Sequence, residues 1–129
     1  MSDDKKWVQD WLKKGDKDLL VARLAIQTDE DLSDIALFHC QQCAEKYLKA
    51  FLILHGKPIT KTHDLVKLIH ECSEFDNRFM TFEEYAHDLT AYAVASRYPD
   101  DSVEYSESIA KESLNYVLKL REFILENIG

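Results

Sequence analysis

Apolar residues recur along this chain at helical spacing in five stretches separated by short polar connections. In the first, from about Asp4 to Gln27, Trp7, Trp11, Ala22 and Ile26 keep to four-residue steps, and Val8, Leu12 and Leu19 widen the stripe. Gly15 weakens its middle, because glycine has the most backbone freedom to lose. The acidic run Thr28-Asp29-Glu30-Asp31 supplies oxygens and negative charge that favour a helix start near Leu32 or Ser33. That second helix is the richest in apolar residues. Ala36, Cys40, Cys43, Tyr47, Phe51 and Leu54 form one stripe, with Leu37, Ala44, Leu48 and Leu52 beside it and His39, Gln42, Lys46 and Lys49 opposite. It is expected to be the central helix and to end near His55, since Gly56 suits a left-handed cap and Pro58 cannot continue the helix.

Thr62 is expected to cap a short third helix with Leu65, Val66, Leu68 and Ile69 inward and His63 in its first turn. A fourth helix follows near Thr81, with Phe82, Tyr85, Ala86, Leu89, Tyr92, Ala93 and Ala95 on its apolar face. It stops before Pro99, which disfavours helical geometry in the residue preceding it. The last runs from about Val103 to Asn127 through Ile109, Leu114, Val117, Leu118, Leu120, Phe123 and Ile124. Five helices with short links and no repeat or linker predict one domain over residues 1–129, an all-α, antiparallel up-and-down bundle. Tyr92, Tyr98, Tyr105 and Tyr116 place aromatic surface near the fourth-to-fifth junction, an expected face for a second copy of the chain.

Composition sharpens this picture. With 46% apolar and 31% charged residues, three Gly and two Pro, the 129-residue chain suits helices and is long enough to bury a core without staples. The longest apolar run, around residues 50–54, is too short to cross a bilayer, and the N-terminus lacks a signal-peptide core, so a cytoplasmic protein is expected. Cys40, Cys43 and Cys72 are odd in number and two lie on the main apolar stripe, which predicts buried free thiols rather than a zinc site or a nucleophile. No phosphate-cradling glycine motif is present.

The net charge of −8 opposes nonspecific binding to DNA or another polyanion, but charge is polarised along the chain. Lys46, Lys49, Lys57, Lys61 and Lys67 face only Asp64 between residues 46 and 67, whereas residues 71–88 carry six acids against Arg78. Glu45, Lys46 and Lys49 have the spacing of solvated pairs, and Gln42 is placed to hydrogen-bond across the bundle. His63 and Asp64 serve either helix-end hydrogen bonds or a site. Arg97, at the Tyr98-Pro99 helix break, is the best anion contact, because a guanidinium is permanently charged and grips phosphate with two parallel hydrogen bonds. Asp100 and Asp101 either clasp Arg97 or help to hold Mg²⁺ beside a nucleotide.

Four segments resemble the HEPN domain family (higher eukaryotes and prokaryotes nucleotide-binding), in particular its small stand-alone prokaryotic members. They are Asp18-Leu19-x-x-Ala22, Gln42-x-x-Glu45-Lys46-x-Leu48-Lys49-Ala50, Thr62-His63-Asp64-Leu65 and Arg97-Tyr98-Pro99-Asp100. The resemblance implies a helical bundle, usually a homodimer, with a cleft around the Arg-Tyr-Pro segment. It also implies a minimal nucleotidyltransferase partner in a two-component, toxin–antitoxin-like system. Arg97, Tyr98, Lys46, Lys49, Asp100 and Asp101 are then the candidate contacts to a nucleotide or RNA. Some members are ribonucleases marked by an Arg followed four to six residues later by a His. Here Tyr98 to Glu104 contain no His after Arg97, which removes a main proton carrier and leaves Arg97 as the one catalytic candidate. The leading expectation is therefore a nucleotide-binding and protein-interaction module. The alternatives are an endoribonuclease toxin whose dimer cleft borrows an acid or histidine from elsewhere, and a purely structural bundle.

Overall fold

The computed structural model describes residues 2–95 and 106–128. Arg97, Tyr98, Asp100, Asp101 and Tyr105, the Pro99 stop and the expected start of the last helix at Val103 lie outside the described residues. Five α-helices and one short 3-10 helix make up the regular structure among those described: α1 (Ser2–Gln27), α2 (Ser33–Leu54), α3 (Leu65–Ser73), the 3-10 helix (Asn77–Phe82), α4 (Glu83–Ala95) and α5 (Glu107–Glu126). No helix among the described residues is long and apolar enough to cross a membrane.

The bundle is built around α2, which packs against α1, α3, α4 and α5. Ala36, Leu37, Cys40, Cys43, Ala44, Tyr47, Leu48 and Phe51 are all buried, in agreement with the two stripes read from the sequence. On α1 the buried set is Val8, Leu12, Leu19, Ala22 and Ala25, while Trp7 is half exposed and Trp11 sits at the margin of the core. Gly15 serves packing rather than weakness. A Cβ there would stand 2.6 Å from Cε1 of Tyr47, so only glycine allows this approach of α1 to α2. The Tyr47 hydroxyl then donates to Asp16 of α1, and Arg121 Nε of α5 donates to the same carboxylate at 3.0 Å.

Helix ends follow local chemistry. Gly56 adopts φ 78°, and the bonds Gly56 N–H to Ile53 O (3.0 Å) and Lys57 N–H to Leu52 O (3.0 Å) close α2 in a Schellman motif. The cap of α3 is Asp64, not Thr62. Asp64 Oδ1 accepts from the N–H groups of Val66 and Lys67, and Thr62 Oγ1 instead accepts from the Asp64 N–H at 3.1 Å. His63 is consequently in the extended approach to α3 and not in its first turn. Ser106 caps α5 by accepting from the Ile109 N–H at 3.2 Å.

The periodicity gives no sign of the 3-10 helix, and the fourth helix begins at Glu83 instead of Thr81. Six residues carry too little periodicity to register. The segment is anchored by Phe79, fully buried and edge-on to Phe51 (4.6 Å) and Phe123 (5.0 Å). All three cysteines are free and buried, and Cys72 Sγ donates to Leu48 O at 3.6 Å. Burial pushes the Cys40 thiol from its ordinary value of 9.0 up to about 12, and raises Cys43 and Cys72 as well, so each stays a protonated packing group at neutral pH.

Candidate functional site

The polar side of α2 was expected to be solvated, and the structure instead closes much of it. Gln41, Glu45 and Lys49 stand one turn apart on the helix, and all three are buried. Lys49 Nζ donates to Glu45 Oε2 at 3.0 Å and lies 5.8 Å from the centroid of the Trp11 ring, which shields it from the α1 side. Gln41 Nε2 donates to the backbone carbonyl of His63 at 2.8 Å. His63 Nδ1 approaches Glu45 Oε1 to 2.8 Å. A carboxylate only accepts hydrogen bonds, so the Nδ1–H of His63 is the donor. The Glu45 carboxylate is thus engaged on both oxygens, while the His63 side chain is 81% exposed.

One turn away around α2, Asp18 of α1 joins a second cluster. Its Oδ1 meets His39 Nδ1 at 2.9 Å and its Oδ2 accepts from Lys46 Nζ. Gln42 Nε2 donates to Gln41 Oε1 at 2.9 Å, bringing the next polar residue of α2 into the Gln41 group. Three of the four segments singled out in the sequence therefore converge on one face of the α1–α2 pair. Asp18 comes from the first, Gln42, Glu45, Lys46 and Lys49 from the second, and His63 from the third.

This geometry bears on the candidate contacts. Lys46 and Lys49 are each held by a carboxylate, Asp18 and Glu45, so the two cations and two anions offset each other and project little net positive field. Their partners came from α1 and from the same helix. The i, i+4 spacing of Gln41, Glu45 and Lys49 was visible in the sequence, but the burial was not, because Trp11 and the His63 segment that cover it lie far away along the chain. Arg97, Tyr98, Asp100 and Asp101 lie outside the described residues.

The aromatic face near the α4–α5 junction also differs from expectation. Tyr116 is buried within its own chain and its hydroxyl has no partner among the described residues, whereas Tyr85 stacks on it at 5.5 Å and is half exposed. A groove of about 370 Å³ opens beside this pair, lined by Thr81, Phe82, Glu112 and Lys119 among others. At the α1–α2 turn, a cleft of about 420 Å³ is walled by Asp29, Glu30, Asp31 and Glu107, a charge that repels phosphate.

Comparison with known proteins bears directly on this arrangement. The model of the HEPN domain matches residues 8–128, which takes in most of α1 and all of α2 to α5. The chain belongs to the HEPN family. This HEPN chain is 27% identical over 143 aligned residues to a Methanocaldococcus jannaschii protein named "Putative toxin MJ1304", a match that covers 96% of this chain and 92% of that one. Its fold is similar to the crystal structure of ST0689, an archaeal HEPN homologue, with a TM-score of 0.75 and 29% identity over 95% of this chain and 98% of that one. The antiparallel helical architecture expected from periodicity is thus a HEPN architecture. Asp18, Glu45 and His63 all lie within the matched residues, so both polar clusters belong to the HEPN bundle itself.

Proposed function

We propose that this HEPN protein is the toxin-like member of a two-component system whose other member is a minimal nucleotidyltransferase. It works as a homodimer and receives a nucleotide or RNA through Arg97, with Tyr98 stacking on a base. The single observation that supports this reading is the likeness, over 96% of this chain and 92% of the other, to a relative named as a toxin. Because Lys46 and Lys49 are charge-compensated, Arg97 carries the anion contact and the two lysines tie together the polar face of α1 and α2. Asp100 and Asp101 act on Arg97 or on a Mg²⁺ that accompanies the nucleotide. Induced expression with and without a minimal nucleotidyltransferase encoded beside this chain, where one is present, tests the pairing. Growth arrest with this chain alone, relieved by the partner, is the expected result, and unchanged growth in both cultures refutes it. Calorimetry with ATP and GTP separates the binding role, with heat for one of them in the parent and none in Arg97→Ala.

A second reading, an endoribonuclease acting through a composite dimer cleft, is favoured by one specific observation. The family's His after Arg97 is missing, yet the fold presents a solvent-facing imidazole at His63 on a buried carboxylate.

A further inference from the structure

We propose that His63 is the proton-transfer residue of RNA cleavage in this protein and that Glu45 is its positioning residue, an inference that rests on the endoribonuclease reading above. The arrangement has the parts that acid–base work requires. With Nδ1–H committed to Glu45 Oε1 at 2.8 Å, Nε2 carries the lone pair of the neutral ring and faces outward on a side chain that is 81% exposed. Among the described residues the ring is held by Glu45 alone, and the groups behind that contact are fixed in turn. Its carboxylate partner is fixed by Lys49 at 3.0 Å, its own carbonyl accepts from Gln41 at 2.8 Å, and the next residue is tied into the α3 cap by Thr62 and by the Val66 N–H.

An exposed histidine with no task would be free to rotate. This one is aimed by a buried carboxylate whose other oxygen is already satisfied, and a carboxylate behind an imidazole fixes its tautomer and orientation. The surroundings suit a polyanion. Lys61 and Lys67 flank His63 in sequence, and both are exposed, in a stretch where this acidic chain carries a basic excess.

The step balances without a co-reactant. Nε2 accepts the proton that leaves the ribose 2′-hydroxyl as the bond from O2′ to phosphorus forms. The bond from phosphorus to O5′ breaks, and O5′ takes up a proton from the imidazolium or from water. One proton is lost and one is gained, leaving a 2′,3′-cyclic phosphate and a free 5′-hydroxyl.

The test is cleavage of a fluorogenic single-stranded oligoribonucleotide by the full chain, compared with His63→Ala and His63→Gln. The glutamine keeps a donor toward Glu45 and cannot relay a proton. Both are expected to fall by about 10²- to 10⁴-fold with an unshifted thermal midpoint, and added free imidazole is expected to restore part of the alanine variant's rate. Glu45→Gln is expected to lower the rate and to shift the His63 signals in two-bond ¹H–¹⁵N spectra away from a pure Nδ1–H tautomer. A cleaving parent matched within twofold by His63→Ala overturns the role of His63 and leaves the ribonuclease reading standing. A parent that leaves the oligonucleotide intact overturns both.

Discussion

Two groups of ion pairs in this bundle show how differently the same chemistry behaves with and without water. Between α1 and α2, Glu45 and Lys49 have side chains only 6% exposed, joined by Asp18 with Lys46 nearby. At the 3-10 helix, Asp76 and Arg78 form a two-pronged pair through Nε at 3.0 Å and Nη2 at 2.7 Å, but the Arg78 side chain is 65% exposed. The bond geometry of the second is the better. The first nevertheless matters more to the fold, because a buried charge that loses its partner has no water to turn to. At the surface, solvent screens the attraction and replaces a lost partner.

The strongest way to break this contrast is Lys49→Ala. It is expected to cost about 3–5 kcal/mol in urea denaturation by stranding Glu45, and the double variant Glu45→Leu/Lys49→Met is expected to recover most of that loss. If Lys49→Ala unfolds at the parent's midpoint, the interior is wetter than the geometry implies. Next in size is Gly15→Ala at the same α1–α2 interface. Driving a methyl against the Tyr47 ring costs about 1–3 kcal/mol, against a helix-propensity gain of about 1 kcal/mol. A net loss in thermal denaturation is expected, and a stabilised variant would show that Tyr47 gives way freely.

A smaller effect sharpens the comparison at its edge. Asp64→Ala removes the side-chain acceptor for the Val66 and Lys67 N–H groups and is expected to cost about 1 kcal/mol. It should also broaden the His63 ring signals, since the cap holds the backbone beside them.

The smallest effect is expected at the surface pair. Hydrogen bonds from Arg78 hold the Asp76 carboxyl below its ordinary 3.8. A depressed carboxyl adds stability above its unfolded value, pH 7 included, and loses it as pH falls through the folded value, so the change with pH falls near and below 3.8. In Arg78→Ala, the ¹³C titration of Asp76 should move up toward 3.8 and stability at pH 7 should fall only slightly, because solvent screens this exposed pair. A loss at pH 7 as large as that of Lys49→Ala would erase the distinction between the two groups.

Much of this was legible before any tertiary structure. The central place of α2 followed from its two apolar stripes, its end from Gly56 and Pro58, and the HEPN resemblance from four short segments whose family the comparison then established. The α3 cap was misplaced by two residues because Thr62 and Asp64 are both good caps, and the backbone at Asp64 is the one that meets the helix N–H groups. Phe79 was overlooked because its segment is short and polar, with the apolar partners Phe51 and Phe123 supplied by distant helices. The buried Lys49 was read as solvated because i, i+4 spacing identifies a face and not what covers it.

The sequence by itself determined which stretches are helical, which face of each is apolar and where most of them end. These depend on hydrogen bonds and side chains within about one turn of each other, and such contacts are written in local order. The tertiary structure decided that His63 meets Glu45 across 18 residues, that Lys46 meets Asp18 across 28, and that Gly15 makes room for Tyr47. Those pairings are set by how far each helix is rotated about its axis and slid along its neighbour. Packing of the whole core fixes both quantities, and no local stretch of sequence carries them.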